Sequence, residues 1–201
     1  IEPWMLGWYE IKDQHTIDTA LRDRVGDDFA REFFRRYRDA YVREADFAHL
    51  AALGFNCVRL PVDYRLVMRE DYSFRDEADA FDEIDRALHW AETHGLYVIL
   101  DLHGAPGGQS DQHHTGRAEQ NRLWTDAASQ RATVELWRAL SERYKDRAVI
   151  AAYDLLNEPW ADYKTDVRPQ PARLCDEIVR AIRSTGDRRV VLYAAAFGTE
   201  I

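Results

Sequence analysis

The sequence predicts an α/β fold, a partial (β/α)8 barrel in which about strands two to five and their helices are present. Three observations predict it: short apolar runs typical of buried strands, amphipathic helical patterns between them, and the regular length of the repeating unit. A complete barrel needs eight strand–helix units and usually about 250 residues. We therefore expect residues 1–201 to be part of a single barrel domain that is truncated at both ends.

The predicted strands are apolar or β-branched almost throughout, as strands that are covered on both faces must be. They occupy residues 55–62, 97–103, 149–156 and 189–196. Their first residues are separated by 42, 52 and 40 positions. Such spacing suits a barrel in which long loops join each strand to the following helix.

Helical patterns lie before and between these strands, at residues 44–53, 81–93, 127–144 and 172–184. Glycines stand just after three of them, where a left-handed residue often ends a helix: Gly54, Gly95 and Gly186. Alternating helices and strands give a parallel sheet with helices outside it. Residues 12–43 are charged and helical in pattern, and we interpret them as an insertion before the first complete unit.

An open, doubly wound sheet is the competing architecture. No Gly-x-Gly-x-x-Gly or phosphate-loop pattern follows any of the predicted strands, which favours the barrel.

Composition excludes several classes of partner. The formal net charge is −9, so we expect neither a nucleic acid nor an anionic membrane surface as a partner, and a neutral substrate fits better. No apolar run approaches the roughly 20 residues that cross a bilayer. The two cysteines form neither a disulfide framework nor a zinc-ligand pattern. Aromatic residues make up 12% of the chain.

Polar residues at strand ends are the candidates for chemistry, because active sites of α/β barrels lie at the C-terminal ends of their strands. Arg59 lies in VRLP, His103 in LDLHGAPGG, and Asn157 and Glu158 in YDLLNEP. The apolar run before Glu158 predicts a carboxyl at the mouth of a low-dielectric core. Burial raises the pKa of a carboxyl, and a general acid has to stay protonated near neutral pH.

Each of these residues also has a purely structural interpretation. Asn157 and Glu158 could simply cap a loop, and His103 could be a core histidine with its hydrogen bonds satisfied. Arg59 could be a buried cation paired with Asp101 on the next strand, a role that is compatible with a functional one.

The three motifs together, in this order on successive predicted strands, resemble glycoside hydrolase family 5. The opening IEPW is similar to the loop after strand one in the exo-β-glucanase and β-glucosidase branch of that family. The resemblance implies a retaining β-glycosidase that hydrolyses a β-linked oligo- or polysaccharide, a β-glucan or β-glucoside, by double displacement. It implies no metal and no organic cofactor, and a secreted or periplasmic location is an expectation from the family.

The resemblance also assigns roles to single residues. Glu158 matches the acid/base, and Asn157 its neighbour that bonds the sugar 2-hydroxyl. His103 matches a histidine of the subsite for the reacting sugar, and Arg59 the arginine that orients the nucleophile. Glu2 matches a carboxylate that bonds distal hydroxyls of a terminal glucose.

Several elements of the family pattern have no counterpart in this sequence, and the nucleophile is the most important of them. A retaining enzyme needs a second carboxylate about 5–5.5 Å from the first, and in the family it ends strand seven. Two other hypotheses therefore remain open: a non-catalytic carbohydrate-binding half-barrel, and a metal-dependent barrel hydrolase. The metal ligands would come from Asp101, His103, His113, His114 and Glu158.

Overall fold

The computed structural model describes residues 11–76, 80–160 and 169–194. In these ranges helices and strands alternate after two initial helices, α1 and α2. The elements are α1 (Gln14–Val25), α2 (Asp27–Tyr41), α3 (Glu44–Ala52), β1 (Cys57–Asp63), α4 (Asp82–Thr93), β2 (Tyr97–Gly104), α5 (Ala127–Tyr144), β3 (Ile150–Asp154), α6 (Pro169–Ser184) and β4 (Val190–Leu192). Short 3-10 turns occupy Tyr64–Leu66 and His113–Thr115.

The strands of the described chain form one parallel sheet in the order β1-β2-β3-β4. Each neighbouring pair is joined through a helix, as the alternation of patterns predicts. The predicted parallel sheet and its strand order are confirmed. No helix among the described residues is both long and apolar enough to span a membrane.

The predicted helices agree closely with the observed ones, and α5 has the predicted bounds. Helix α4 buries Ile84, Ala87, Leu88 and Ala91, the face that the sequence periodicity predicts. Gly54, Gly95 and Gly186 all have φ between 68° and 91°, so the left-handed residues after the helices are confirmed.

Three strands are shorter than predicted, and the first of them, β1, begins at Cys57 instead of residue 55. Strand β3 ends at Asp154 instead of residue 156, although Leu155 and Leu156 stay fully buried beyond the ladder. Strand β4 covers Val190–Leu192, and the last part of the predicted strand lies outside the described residues.

The core lies between the sheet and the helices. Val98, Leu100 and Leu102 alternate along β2, and each is at most 1% exposed. Trp137 of α5 packs against Tyr153 of β3 with ring centroids 5.2 Å apart. Since the helices cover this face of the sheet, the intervening residues of β2, including Asp101 and His103, lie on the opposite face.

The predicted insertion at 12–43 consists of helices α1 and α2. Asp13 caps α1 by accepting from the Thr16 N–H at 2.7 Å, and its second carboxylate oxygen accepts from the Ala118 N–H at 2.6 Å. The His15 N–H donates to the Gly116 carbonyl at 3.0 Å. The insertion is thus attached to the loop that follows β2.

Candidate active site

A network of charged and polar groups begins at the third residue of β1 and extends to the C-terminal ends of β2 and β3. Arg59 is its centre: its Nε is 2.9 Å from Asp154 Oδ2, and its Nη2 is 2.9 Å from Asn157 Oδ1. Nη2 also lies 3.0 Å from Asp101 Oδ1. The predicted pair with Asp101 is therefore present. The arginine side chain is 40% exposed, so the expectation of a buried cation is wrong.

The two aspartates of this network are neighbours in the sheet, because Asp101 and Asp154 are register partners. Asp101 is fully buried and the Asp154 side chain is 13% exposed. Burial raises the pKa of Asp154, and the Asp101 charge adds to this, while the hydrogen bond from Arg59 acts in the opposite direction. Arg59 thus supplies the positive charge that this pair of carboxyls requires.

His103 is held by the same aspartate. Its Nδ1 lies 2.7 Å from Asp101 Oδ2, and its side chain is 32% exposed. A hydrogen bond from Nδ1–H to a carboxylate leaves Nε2 as an acceptor in the neutral ring. The histidine is therefore oriented by a buried partner, but about a third of its side chain is accessible, so the interpretation as a core histidine is wrong.

Gln109 joins the ends of β2 and β3. It is fully buried, and its Nε2 donates to the carbonyls of His103 at 2.8 Å and Asn157 at 2.9 Å. Its Oε1 accepts from the Ala105 N–H at 3.1 Å. Sequence reasoning missed this residue, although it follows the LDLHGAPGG run directly.

Asn157 is placed by three contacts. Besides the bond from Arg59 to its side chain, its N–H donates to the Leu102 carbonyl at 3.0 Å, and its own carbonyl accepts from Gln109. Only 6% of the residue is exposed. An amide that is fixed in this way presents its remaining hydrogen-bonding groups in a defined direction.

Glu158 differs from the expectation. Its side chain is 61% exposed, so the predicted burial at the mouth of the core is wrong. The physical reason is that the ladder ends at Asp154 and the chain turns at Glu158, whose φ of 40° lies in the left-handed region. The carboxyl lies on the open side of the network, with His114 Nδ1 at 3.7 Å from its Oε2.

The sequence suggests His114 only as a metal ligand, whereas the structure places it beside Glu158. Its ring centroid lies 6.2 Å from that of His103, and its side chain is 16% exposed. Burial lowers the pKa of His114, and the nearby Glu158 carboxylate opposes this effect. No local pattern in the sequence predicts this pairing, since the two residues are brought together by separate loops.

Two other predictions concern Glu2 and a metal site. Glu2 lies outside the described residues. In the described ranges, no group of three or more His, Cys, Asp or Glu side chains is arranged to hold a metal ion. The geometry gives the metal-dependent alternative no support.

The fold and the site are those of part of an α/β barrel enzyme, with parallel strands, outer helices and polar residues at the strand ends. The family model for cellulase, glycosyl hydrolase family 5, matches residues 26–197, and the chain belongs to this family.

Curated relatives agree with this assignment. A beta-xylosidase of Phanerodontia chrysosporium is 36% identical over 151 residues, which are 74% of this chain and 32% of the relative. A probable glucan 1,3-beta-glucosidase A of Aspergillus clavatus is 33% identical, covering 79% of this chain and 38% of the relative. Endoglucanase C of Acetivibrio thermocellus is 32% identical, covering 78% of this chain and 43% of the relative. The chain thus spans about a third to two fifths of the length of these relatives.

Solved structures support the same fold. A glycoside hydrolase that is 32% identical superposes with a TM-score of 0.65, over 77% of this chain and 47% of that one. XacCel5A, solved in complex with cellopentaose, is 26% identical with a TM-score of 0.61, over 77% of this chain and 44% of that one. AoRut, at 16% identity, shows the fold alone, with a TM-score of 0.77 over 94% of this chain and 55% of that one. The chain is therefore a partial (β/α)8 barrel.

Proposed function

We propose that the protein containing this chain is a retaining β-glycosidase that hydrolyses a β-glucan or β-glucoside by double displacement. The observation that carries the proposal is the position of Asn157 and Glu158. They follow β3 side by side, with the amide fixed by Arg59 and the carboxyl open to the face on which a sugar would bind.

In this proposal Glu158 acts twice. It first donates its proton to the leaving glycosidic oxygen, and it then accepts a proton from the water that attacks the glycosyl-enzyme intermediate. The relatives named as β-glucosidase and endoglucanase, and the neighbour solved with cellopentaose, support a β-linked glucan as the substrate class.

The other polar groups would serve this chemistry. Asn157 would bond the sugar 2-hydroxyl, His103 would contact the reacting sugar, and Arg59 would orient the nucleophilic carboxylate. Glu2 would contact distal hydroxyls of a terminal glucose. The chemistry requires two carboxylates and a pocket that stabilises charge, and it requires no cofactor.

We also propose that residues 1–201 form one part of a single catalytic barrel, and that the nucleophile belongs to a later strand outside this sequence. The share of each relative that the chain spans, between 32% and 43%, supports this division.

The test uses the full-length gene product with Glu158→Ala. We expect turnover of a natural glucan to fall by about 10²–10⁴-fold, the usual contribution of a positioned acid or base. On an aryl glucoside whose phenol leaves readily, the variant should form the covalent intermediate and then stall. Azide needs no base, so it should accelerate this second step and yield a β-glucosyl azide, which NMR identifies.

A matched control is Glu142→Ala, which removes a glutamate that is 55% exposed on α5. It should retain full activity. An α-glucosyl azide, or equal losses on good and poor leaving groups without azide rescue, would contradict the proposal. Loss of wild-type activity after EDTA dialysis, with recovery on adding zinc, would favour the metal-dependent alternative.

A further inference from the structure

The turn that carries His114 is fixed in place from two sides. Arg65 Nη2, from the loop after β1, donates to the Thr115 carbonyl at 2.9 Å. The His15 N–H, from helix α1, donates to the Gly116 carbonyl at 3.0 Å. Gly116 has φ +79°, and a Cβ atom there would lie 2.8 Å from Arg65 Nη2. The backbone around His114 is therefore held by two other elements of the chain.

His114 is also the one described residue whose charged or titratable group lies within ion-pair distance of the Glu158 carboxyl. The distance from Nδ1 to Oε2 is 3.7 Å, about 0.8 Å longer than an N–H···O hydrogen bond. Glu158 is the more exposed partner, at 61% against 16%. A rotation of the glutamate side chain would close this gap, while the histidine stays where its turn holds it.

The charge state of His114 follows from its surroundings. Burial is the largest effect and lowers its pKa below 6.5, and His103 and His113 lower it further. The carboxylate and the backbone of Glu158 act in the opposite direction and do not compensate for burial. Burial thus favours the neutral ring, which carries a single N–H.

The position of that proton follows from the two ring nitrogens. Nε2 of His114 is buried without a hydrogen-bond partner among the described residues, whereas Nδ1 faces Glu158. A buried N–H without an acceptor costs about 1–3 kcal/mol. A buried nitrogen without a donor is unsatisfied as well, so Nε2 lacks a partner in either tautomer, but a proton on Nδ1 places a donor instead of a lone pair next to the carboxylate.

We propose that His114 is a positioning residue for the acid/base, an inference that rests on the proposed role of Glu158. The neutral ring donates its Nδ1–H to the Glu158 carboxylate and holds that exposed side chain in one orientation. The donor is available when Glu158 has given its proton to the leaving oxygen and has to accept one from water. No proton passes to His114, because its remaining nitrogen is buried.

The first experiment measures the coupling between the two groups. The ring nitrogens of the full-length protein are followed by NMR as the pH is lowered, in the wild type and in Glu158→Gln. Because the carboxylate favours the protonated ring, its removal should move the His114 midpoint to lower pH. The exposed His113, in the same turn, serves as the internal reference and should move less. An unchanged His114 midpoint would overturn the proposal.

The second experiment separates positioning from a structural role. On a substrate whose second step limits turnover, His114→Phe should lower kcat about tenfold, the value of one hydrogen bond to a charged group. His114→Asn, which keeps a side-chain N–H donor, should recover most of this loss. Azide attack needs no base, so the azide-dependent rate of His114→Phe should equal that of the wild type.

His113→Phe is the matched control and should behave as the wild type. If His114→Phe lowers the azide-dependent rate as much as the water-dependent rate, its role is structural and the proposal is wrong. If Glu158→Ala shows neither a loss of activity nor azide rescue, the proposed function itself is wrong. The role of His114 in positioning Glu158 is then excluded as well. The two failures are distinguishable, because one is seen in the rates of His114→Phe and the other in those of Glu158→Ala.

Discussion

Arg59 illustrates how far a single residue can be understood from the sequence. Its pairing with Asp101 was predictable, because both residues lie on the inward side of neighbouring strands, two positions apart in the register. The contacts with Asp154 and Asn157 were not predictable, because they depend on the residue at which β3 ends. The guanidinium is planar and offers several N–H donors in fixed directions, so one side chain can contact all three partners.

Arg59→Lys should therefore be damaging although it preserves the charge. A lysine ammonium is a point charge and cannot contact Asp154 and Asn157 in the same fixed geometry. We expect a loss of about 1–3 kcal/mol in the free energy of unfolding, the cost of a buried partner left unsatisfied, measured by denaturant titration of the full-length protein. Arg173→Lys on α6, where the side chain is 63% exposed, is the control and should change stability little. Equal stability of the two variants would contradict this role of Arg59.

At the scale of elements, the loop between β2 and α5 matters most, because it carries both Gln109 and His114. The sequence periodicity predicted the strands and helices on either side of it, since buried faces repeat at 2 and 3.6 residues. Its internal structure could not be predicted in this way. It is fixed by contacts with distant parts of the chain, such as Asp13 with the Ala118 N–H, 105 positions apart. Contacts of this kind have no periodic signature.

Gln109→Leu tests whether this loop sets the relation between β2 and β3. The substitution leaves the carbonyls of His103 and Asn157 and the Ala105 N–H without their partner in a fully buried site. Each unsatisfied buried group costs about 1–3 kcal/mol, so the full-length protein should lose at least about 3 kcal/mol of stability. Gln130→Leu, which removes two bonds to carbonyls from the start of α5, is the comparison and should cost less. Similar losses from the two variants would mean that Gln109 has no special role.

For the molecule as a whole, the order of motifs predicted the sheet because chain order and strand order coincide in a barrel. In the described residues, β1 pairs only with β2, and β4 pairs only with β3. Each of these strands therefore has one edge without a partner strand from the described part of the chain. Large apolar side chains are also exposed near the sheet, among them Phe55, Tyr97 and Val190, at 55% to 60%. This arrangement is expected of one part of a barrel whose remaining strands lie elsewhere.

The last prediction concerns residues 1–201 expressed without any further sequence. Unpaired strand edges and an uncovered inner face promote association, so we expect dimers or larger aggregates, with no glycosidase turnover. Light scattering after size-exclusion chromatography gives the mass, and an aryl glucoside assay gives the activity. Val190→Lys places a charge on the β4 edge strand and should reduce association without restoring activity, because it adds no nucleophile. A monomer that melts cooperatively and hydrolyses the glucoside would contradict both the unpaired edges and the missing nucleophile. The full-length product, tested in parallel, should be active, so that a lack of activity in the shorter chain can be assigned to the absent strands.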